Sequence, residues 1–369
     1  MAAAGAMNTL IAARPAPLRS AGVLSWLRRN LFADWKNTLA TLLVLALLID
    51  WLPRIVEWGI VDAVVRPDNA ACRALEHSAA CWGVITEKYR LILFGRYPFA
   101  EQWRPLVGIV VMVVLLALSC LPRMWNRWLP VAWVAMFAGF FALMRGGFAG
   151  LSFVETAQWG GLPLTLLLST LGLAAAFPLS ILIALGRRSH LPAVRAFCIG
   201  YVELIRGIPL ISVLFMASFM FPLFMPPGKT PDVLLRVFVG ITLFAAAYLA
   251  EAIRGGLQAI PKGQFEAADS LGLTYWQAQR KVVLPQALRL VIPSIMNSFI
   301  STFKDTSLVT IVSLYDLTGS LGLALNGDAD WRQFYFEGYI FIGAIYWIGC
   351  FSMSRYSQWI ERRLADGAI

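Results

Sequence analysis

Apolar residues run through this chain in long blocks, separated by short basic or Gly/Pro-containing joints rather than by the alternation of half-buried strands. Eight blocks approach or exceed the roughly 20 residues a helix needs to cross about 30 Å of hydrocarbon: 38–60, 103–121, 128–144, 162–186, 196–224, 233–253, 290–312 and 334–354. Those longer than about 20 residues suit helices that tilt or project beyond the hydrocarbon. The first is mixed. Its clean run, Leu39 to Ile49, is followed by Asp50, Pro53, Arg54 and Glu57, which places its outer half at the interface. Residues 82–94 read as a short amphipathic helix at the interface rather than a span. The expected fold class is an all-α integral membrane protein with about eight transmembrane helices.

Composition removes the soluble alternatives. Hydrophobic residues make up 59% of the 369, charged ones 14%, and mean hydropathy is +0.68. A soluble domain carries about 25% charged residues, so this chain lacks the polar surface to coat a globule. The net charge of +10 does not point to nucleic acid, because the basic residues punctuate apolar blocks and form no stripe. Their distribution orients the spans. With the N-terminus inside, the inner segments collect Arg14, Arg19, Arg28, Arg29, Lys36, Arg123, Arg127, Arg187, Arg188, Arg195, Arg254, Lys262, Arg280, Lys281, Arg289, Arg355, Arg362 and Arg363. The outer loops hold fewer, mostly beside Asp or Glu, so both termini are expected to be cytoplasmic. Leu27-Arg-Arg-Asn-Leu-Phe32 resembles a twin-arginine signal only distantly, and no small-residue cleavage site follows it. A retained start-transfer anchor is the better expectation.

Cys120, Cys198 and Cys350 sit in or beside spans and read as small apolar residues. Cys72 and Cys81 fall in the long external loop, where a disulfide can persist. Their spacing permits a bridge and does not establish one. His77 and His190 have no neighbours at metal-ligand spacing, so no metal site is expected.

The joint between the sixth and seventh blocks is unlike the others. Pro261 and Gly263 break the preceding span, and Gln264 to Leu271 can form about two helical turns with Glu266 in the first. Gly272 suits the left-handed position that ends such a helix. Thr274 and Gln277 have capping-box spacing for a second short helix, which Pro285 closes. Phe265, Ala267, Ala268, Leu271 and Leu273 are too apolar for a segment that only faces water, so they need a partner surface, on this chain or another.

Glu266-Ala267-Ala268, three residues, Gly272, nine residues, then Val282-x-Leu284-Pro285 resembles the EAA loop of ABC importer permeases. Tyr201-Val-Glu-Leu-Ile-Arg-Gly-Ile-Pro209 and Phe303-Lys-Asp-Thr-Ser-Leu308 are similar to stretches of the polar amino-acid branch of that family. The resemblance covers about residues 160–369, and the extended N-terminal part is similar to that of the longer M-type subunit of general L-amino-acid permeases. It implies a domain plan: a cytoplasmic segment 1–37, an extension 38–150 with about three spans and an external loop, and a five-helix core 151–369 with a coupling loop at 261–285. It also implies a role. Gly263, Glu266, Ala267, Ala268, Gly272, Leu284 and Pro285 would couple to an ATPase, in the bacterial inner membrane. The implied partners are a second, related permease chain, two ATPase subunits carrying the ATP and Mg, and a periplasmic amino-acid-binding protein, with an L-amino acid as substrate. No cofactor is expected on this chain, and it is not expected to be an enzyme. Gly228-Lys229-Thr230 matches the tail of a phosphate-binding loop, but Leu223 stands where the first glycine is required.

Charges within spans need a partner or a task. Glu203 with Arg206, and Glu251 with Arg254, have i,i+3 spacing and read as structural ion pairs. On the seventh span Ser294, Asn297, Ser298, Ser301, Lys304 and Asp305 form a polar stripe. Asn297, Ser301, Lys304, Asp305 and Ser307 are the candidates for a substrate pathway or gate. Lys304 and Asp305 could bind the two charges of a free amino acid or bridge neighbouring helices; the sequence leaves both open. The alternative function, an ion-coupled secondary amino-acid transporter, would show internal repeats with paired broken helices, and none is evident between 1–150 and 160–369. A membrane enzyme would need a catalytic constellation that two isolated histidines do not supply.

Overall fold

A computed structural model of the chain describes residues 22–76, 78–226 and 228–365. Arg14, Arg19 and His77, used above, lie outside the described residues. The chain divides into two compact units, residues 1–81 and 82–369.

In the first unit, α1 (Val23–Asn30) precedes α2 (Trp35–Val61), and α3 (Asn69–Ala74) lies in the following loop. Asp34 caps α2, accepting from the Asn37 N–H at 2.8 Å. The charged outer half of α2 stays helical through Pro53. Asp50 pairs with Arg54 one turn on at 2.7 Å, and the helix ends in a π-turn at Glu57–Val61. Cys72 and Cys81 form a disulfide with Cα atoms 5.5 Å apart. Beside it the Val64 N–H donates to the Ala80 carbonyl at 2.9 Å.

The second unit contains α4 (Gly83–Phe94), α5 (Phe99–Ser119), α6 (Leu129–Arg145), α7 (Gly161–Gly186), α8 (Pro192–Gly207), α9 (Leu210–Phe224), α10 (Val233–Ala259), α11 (Lys262–Ser270), α12 (Tyr275–Leu290), α13 (Ile292–Val312), α14 (Leu317–Asn326) and α15 (Arg332–Leu364). Among the described residues of the chain, α2, α5, α7, α10 and α15 are each long and apolar enough to cross a membrane. Two further spans arise if each bent pair, α8 with α9 and α12 with α13, counts as one. Helix α6 is a shorter apolar helix.

One bend corrects an expected span, and a second lies at the start of another. Block 196–224 is not one rod but turns by 106° between α8 and α9. Pro209 cannot donate to the helix, and it pushes Ile208 into extended backbone (φ −116°, ψ 147°). Block 290–312 begins after a 66° bend from α12. Pro293 there sits in the first turn of α13, where its missing N–H leaves no helical bond unmade. The last block continues well past 354 as one helix to Leu364.

Helices α7 and α10 form the spine. At one end of it Leu167, Leu168, Leu214, Val237 and Ile241 are buried together; at the other, Ala176, Ala184, Ala246, Leu249, Ala250 and Ile253. The alanines let the backbones approach closely, which is how helices gain contact where lipid supplies no hydrophobic drive. Gly161 opens α7 at φ +65°, and a Cβ there would lie 2.1 Å from the Leu93 carbonyl oxygen. Its N–H donates to the Tyr315 carbonyl at 2.8 Å, so the ends of α4, α7 and α13 meet at this glycine. Residues 82–150, expected to be part of an extension, share a unit with the later helices, because α4 packs on α7, α14 and α15 and α5 packs on α7. Arg104 is fully buried near the start of α5, paired with Glu101 at 2.7 Å and donating to the Ser152 carbonyl at 2.8 Å.

Candidate functional site

The loop that the sequence singles out folds as two short helices held by local bonds. Helix α11 starts at Lys262, which puts Glu266 in its second turn rather than its first, a correction of two to three residues in where the helix begins. It ends as expected at Gly272, with φ +68°. The Leu273 N–H reaches the Ala268 carbonyl at 3.2 Å and the Gly272 N–H the Asp269 carbonyl at 2.9 Å, a Schellman closure. Thr274 then opens α12 with both halves of a capping box, its N–H donating to Gln277 Oε1 at 2.9 Å.

Pro285 does not end α12. The helix widens into a π-turn at Gln279–Val283, and Pro285 begins a fresh α-helical stretch that runs to Leu290. A proline in a first turn forfeits no helical hydrogen bond, so the ring is accommodated without a break.

The two helices are tied to each other and to the bundle. Gln286 Nε2 donates to Gln264 Oε1 and to the Val282 carbonyl, each at 2.9 Å. Arg188, at the end of α7, stacks over the Phe265 ring at 5.4 Å and donates to the Leu257 carbonyl of α10 at 2.7 Å. Gly256 lies so close to α12 that a Cβ would meet the Ala287 carbonyl oxygen at 2.5 Å. Ala268 is buried and Leu284 half-buried, facing inward, while Gly263, Glu266, Ala267, Gly272 and Pro285 are exposed. Leu271 is 77% exposed and Trp276 64%, with Tyr275 beside them. The apolar residues therefore divide: Ala268 and Phe265 pack on the chain itself, and Leu271, Tyr275 and Trp276 project from a firmly held support.

The charges on the spans form a network that the i,i+3 spacing only partly describes. Arg254 pairs with Glu251 as expected. Glu203 and Arg206 do not pair with each other, which corrects the second expected pair. Glu203 accepts from Arg187 at 3.2 Å, and Arg206 lies 3.7 Å from Glu251. Arg187 also donates to Glu251 at 2.6 Å, and its side chain is only 10% exposed. The physical reason is the groove between α7, α8 and α10: Arg187 reaches into it from the end of α7 and satisfies both carboxylates, releasing Arg206 toward Glu251 and the Tyr248 ring at 5.5 Å. Arg187 carries no local signal for this role, since its partner Glu251 is 64 residues away.

On α13 the polar stripe stays together. Ser294, Asn297, Ser301 and Lys304 are exposed along one face, with Ser298, Asp305 and Ser307 half-buried at its margin. Lys304 and Asp305 make no ion pair among the described residues. Beyond the stripe, in the joint after α13, lies a residue the sequence did not single out. Asp316 is fully buried, accepting from Tyr346 Oη at 2.8 Å, the Gly319 N–H at 2.9 Å and Thr310 Oγ1 at 3.2 Å. Burial pushes its carboxyl up from the ordinary carboxylate range, and these donors pull it back.

A helical bundle with a rigid, capped loop below it and a polar face on a bent span is the arrangement of a transport subunit. Residues 176–366 match the family described as binding-protein-dependent transport system inner membrane component. The chain belongs to that family. As an inner membrane component it aligns along nearly its whole length with the inner membrane amino-acid ABC transporter permease protein YhdY of Escherichia coli strain K12. The two are 46% identical over 362 residues, covering 96% of each chain. It is also 36% identical over 420 aligned residues to the glutamate/glutamine/aspartate/asparagine transport system permease protein BztC of Rhodobacter capsulatus, again covering 96% of each. A shorter relative, the probable glutamine ABC transporter permease protein GlnM of Bacillus subtilis, is 34% identical over 200 residues. That alignment takes in 54% of this chain and 89% of GlnM. The chain is a permease subunit of an ABC importer.

Proposed function

We propose that this permease carries L-amino acids inward, paired with a second, related permease chain, on energy from ATP hydrolysed by two separate ATPase subunits. The observation that carries the reading is the loop 261–285, which presents Leu271, Tyr275 and Trp276 on a support braced by Arg188, Gln264 and Gln286. Apolar side chains exposed on a stiff base suit a cleft in another protein. The names of the full-length relatives supply the substrate class.

In this reading both termini and the loop face the cytoplasm, and a periplasmic binding protein delivers substrate from the other side. Nucleotide-driven closure of the ATPases moves α11 and α12 together. Their ties to α7 and α10 transmit that movement to the bundle, a two-state change biased by differential contacts. Residues 151–369 form the core that moves, and residues 38–150 are the extension. The exposed stripe Asn297, Ser301, Lys304, with Asp305 and Ser307 at its edge, faces the pathway. There the cation and anion of adjacent side chains meet the carboxylate and ammonium of a free amino acid.

The test is co-purification and uptake with an L271D/W276D variant. Two carboxylates in an apolar contact should remove ATPase association and abolish uptake while leaving the amount of membrane-inserted chain unchanged. Unaltered association and uptake would overturn the proposal.

A further inference from the structure

The cytoplasmic ends of α7, α8 and α10 border an open-sided cavity of about 430 Å³ lined by Arg187, Arg188, Arg195, Ile199, Arg254 and Gln258. Four guanidiniums around one small cavity need anionic company. Arg187 and Arg254 find part of it in Glu203 and Glu251, and Arg188 donates to the Leu257 carbonyl. Arg195 makes no ion pair among the described residues and stands exposed at the rim. With Arg206 also drawn to Glu251, five cations share two carboxylates, and the cavity keeps an excess of positive charge.

The surroundings say what kind of anion fits. Leu191 and Val194 are exposed beside Arg195 where α8 begins. A free anion would use only the cavity. An amphipathic anion would use both parts, its head among the arginines and its chains on Leu191 and Val194.

We propose that this cavity binds the phosphate headgroup of an anionic phospholipid of the inner leaflet. Basic pockets between membrane helices on the cytoplasmic side are suited to such heads. The site has a consequence for transport, because Arg188 contributes to the cavity and at the same time stacks on Phe265 of α11. A bound phosphate fixes the Arg188 side chain and with it the bracing of the coupling loop. The inward placement rests on the proposed function; the binding itself does not.

The test therefore reads binding and needs no transport. Purified full-length chain in a neutral detergent is titrated with dioctanoyl phosphatidylglycerol, dioctanoyl phosphatidylcholine or glycerol phosphate, and the melting temperature is followed. Phosphatidylglycerol should raise it saturably, phosphatidylcholine and glycerol phosphate should not. R195Q, which removes no internal partner, should weaken the apparent affinity about fivefold, as expected for one arginine near an anionic headgroup. Equal stabilisation by glycerol phosphate, or an R195Q chain that binds phosphatidylglycerol like the parent, would overturn the proposal. In the assembled transporter a benzophenone side chain at position 191 should capture phospholipid. Capture of the ATPase polypeptide there would assign the cavity to a protein contact and overturn the lipid site.

Discussion

Arg187 holds two carboxylates from two helices, Glu203 at 3.2 Å and Glu251 at 2.6 Å, in a groove that leaves it little exposed. Losing it strands both acids. R187Q should destabilise the chain by about 2 kcal/mol, in the range of hydrogen bonds to charged groups, seen as a fall of several degrees in melting temperature. An R187Q/E251Q double variant should recover part of that loss. Asp316 is the second residue where a single change tells. D316N cannot accept from both Tyr346 and the Gly319 N–H with the strength of a carboxylate, and about 1–3 kcal/mol should be lost in the same measurement. Neither residue was legible in the sequence. Spacing rules see neighbours on one helix, which is why Glu251 and Arg254 were paired correctly. They do not see a contact spanning 64 residues, and they paired Glu203 with Arg206 because nothing in the periodicity shows that a better donor arrives from another helix.

Among the elements, α11 and its glycine turn were readable because capping is local chemistry. A left-handed residue after a short helix calls for glycine, and Thr274 with Gln277 satisfies the next helix start within four residues. G272V places a β-branched side chain at φ +68°, a strain of about 1–2 kcal/mol concentrated at the joint of α11 and α12. Uptake by the assembled transporter should fall at least about fivefold, the low end of a coupling free energy, with normal chain abundance in the membrane. The course of α12 was less readable, because a π-turn has no sequence mark and Pro285 looks like a terminator until the widened turn before it is known. The polar stripe of α13 is the other element with a clear expectation. K304M and D305N should each lower amino-acid uptake about tenfold or more, a loss of about 1.4 kcal/mol or more of binding, while ATPase subunits still co-purify. Unchanged uptake in both would move the stripe from the pathway to a helix contact.

At the scale of the whole molecule, length and hydropathy of the blocks carried most of the architecture, since a span needs only enough apolar residues. They could not give the size of the 106° and 66° bends, although Pro209 and Pro293 interrupt those blocks and allow kinks there. Nor could they place residues 82–150 in the same unit as the core, because that depends on α4 and α5 packing against helices far along the chain. The loop after α2 is held by the Cys72–Cys81 disulfide, and a C72S/C81S chain should lose about 2–3 kcal/mol of local stability for a loop of that length, detectable as faster proteolysis between the two positions. In the function proposed above, the bundle is half of a pathway driven by separate ATPase subunits. The most direct test is accumulation of labelled L-amino acids in proteoliposomes, comparing this chain alone with the full set of permease, ATPase and binding-protein subunits, with and without ATP. Accumulation should require the full set and ATP together. Steady accumulation by this chain alone would contradict the account.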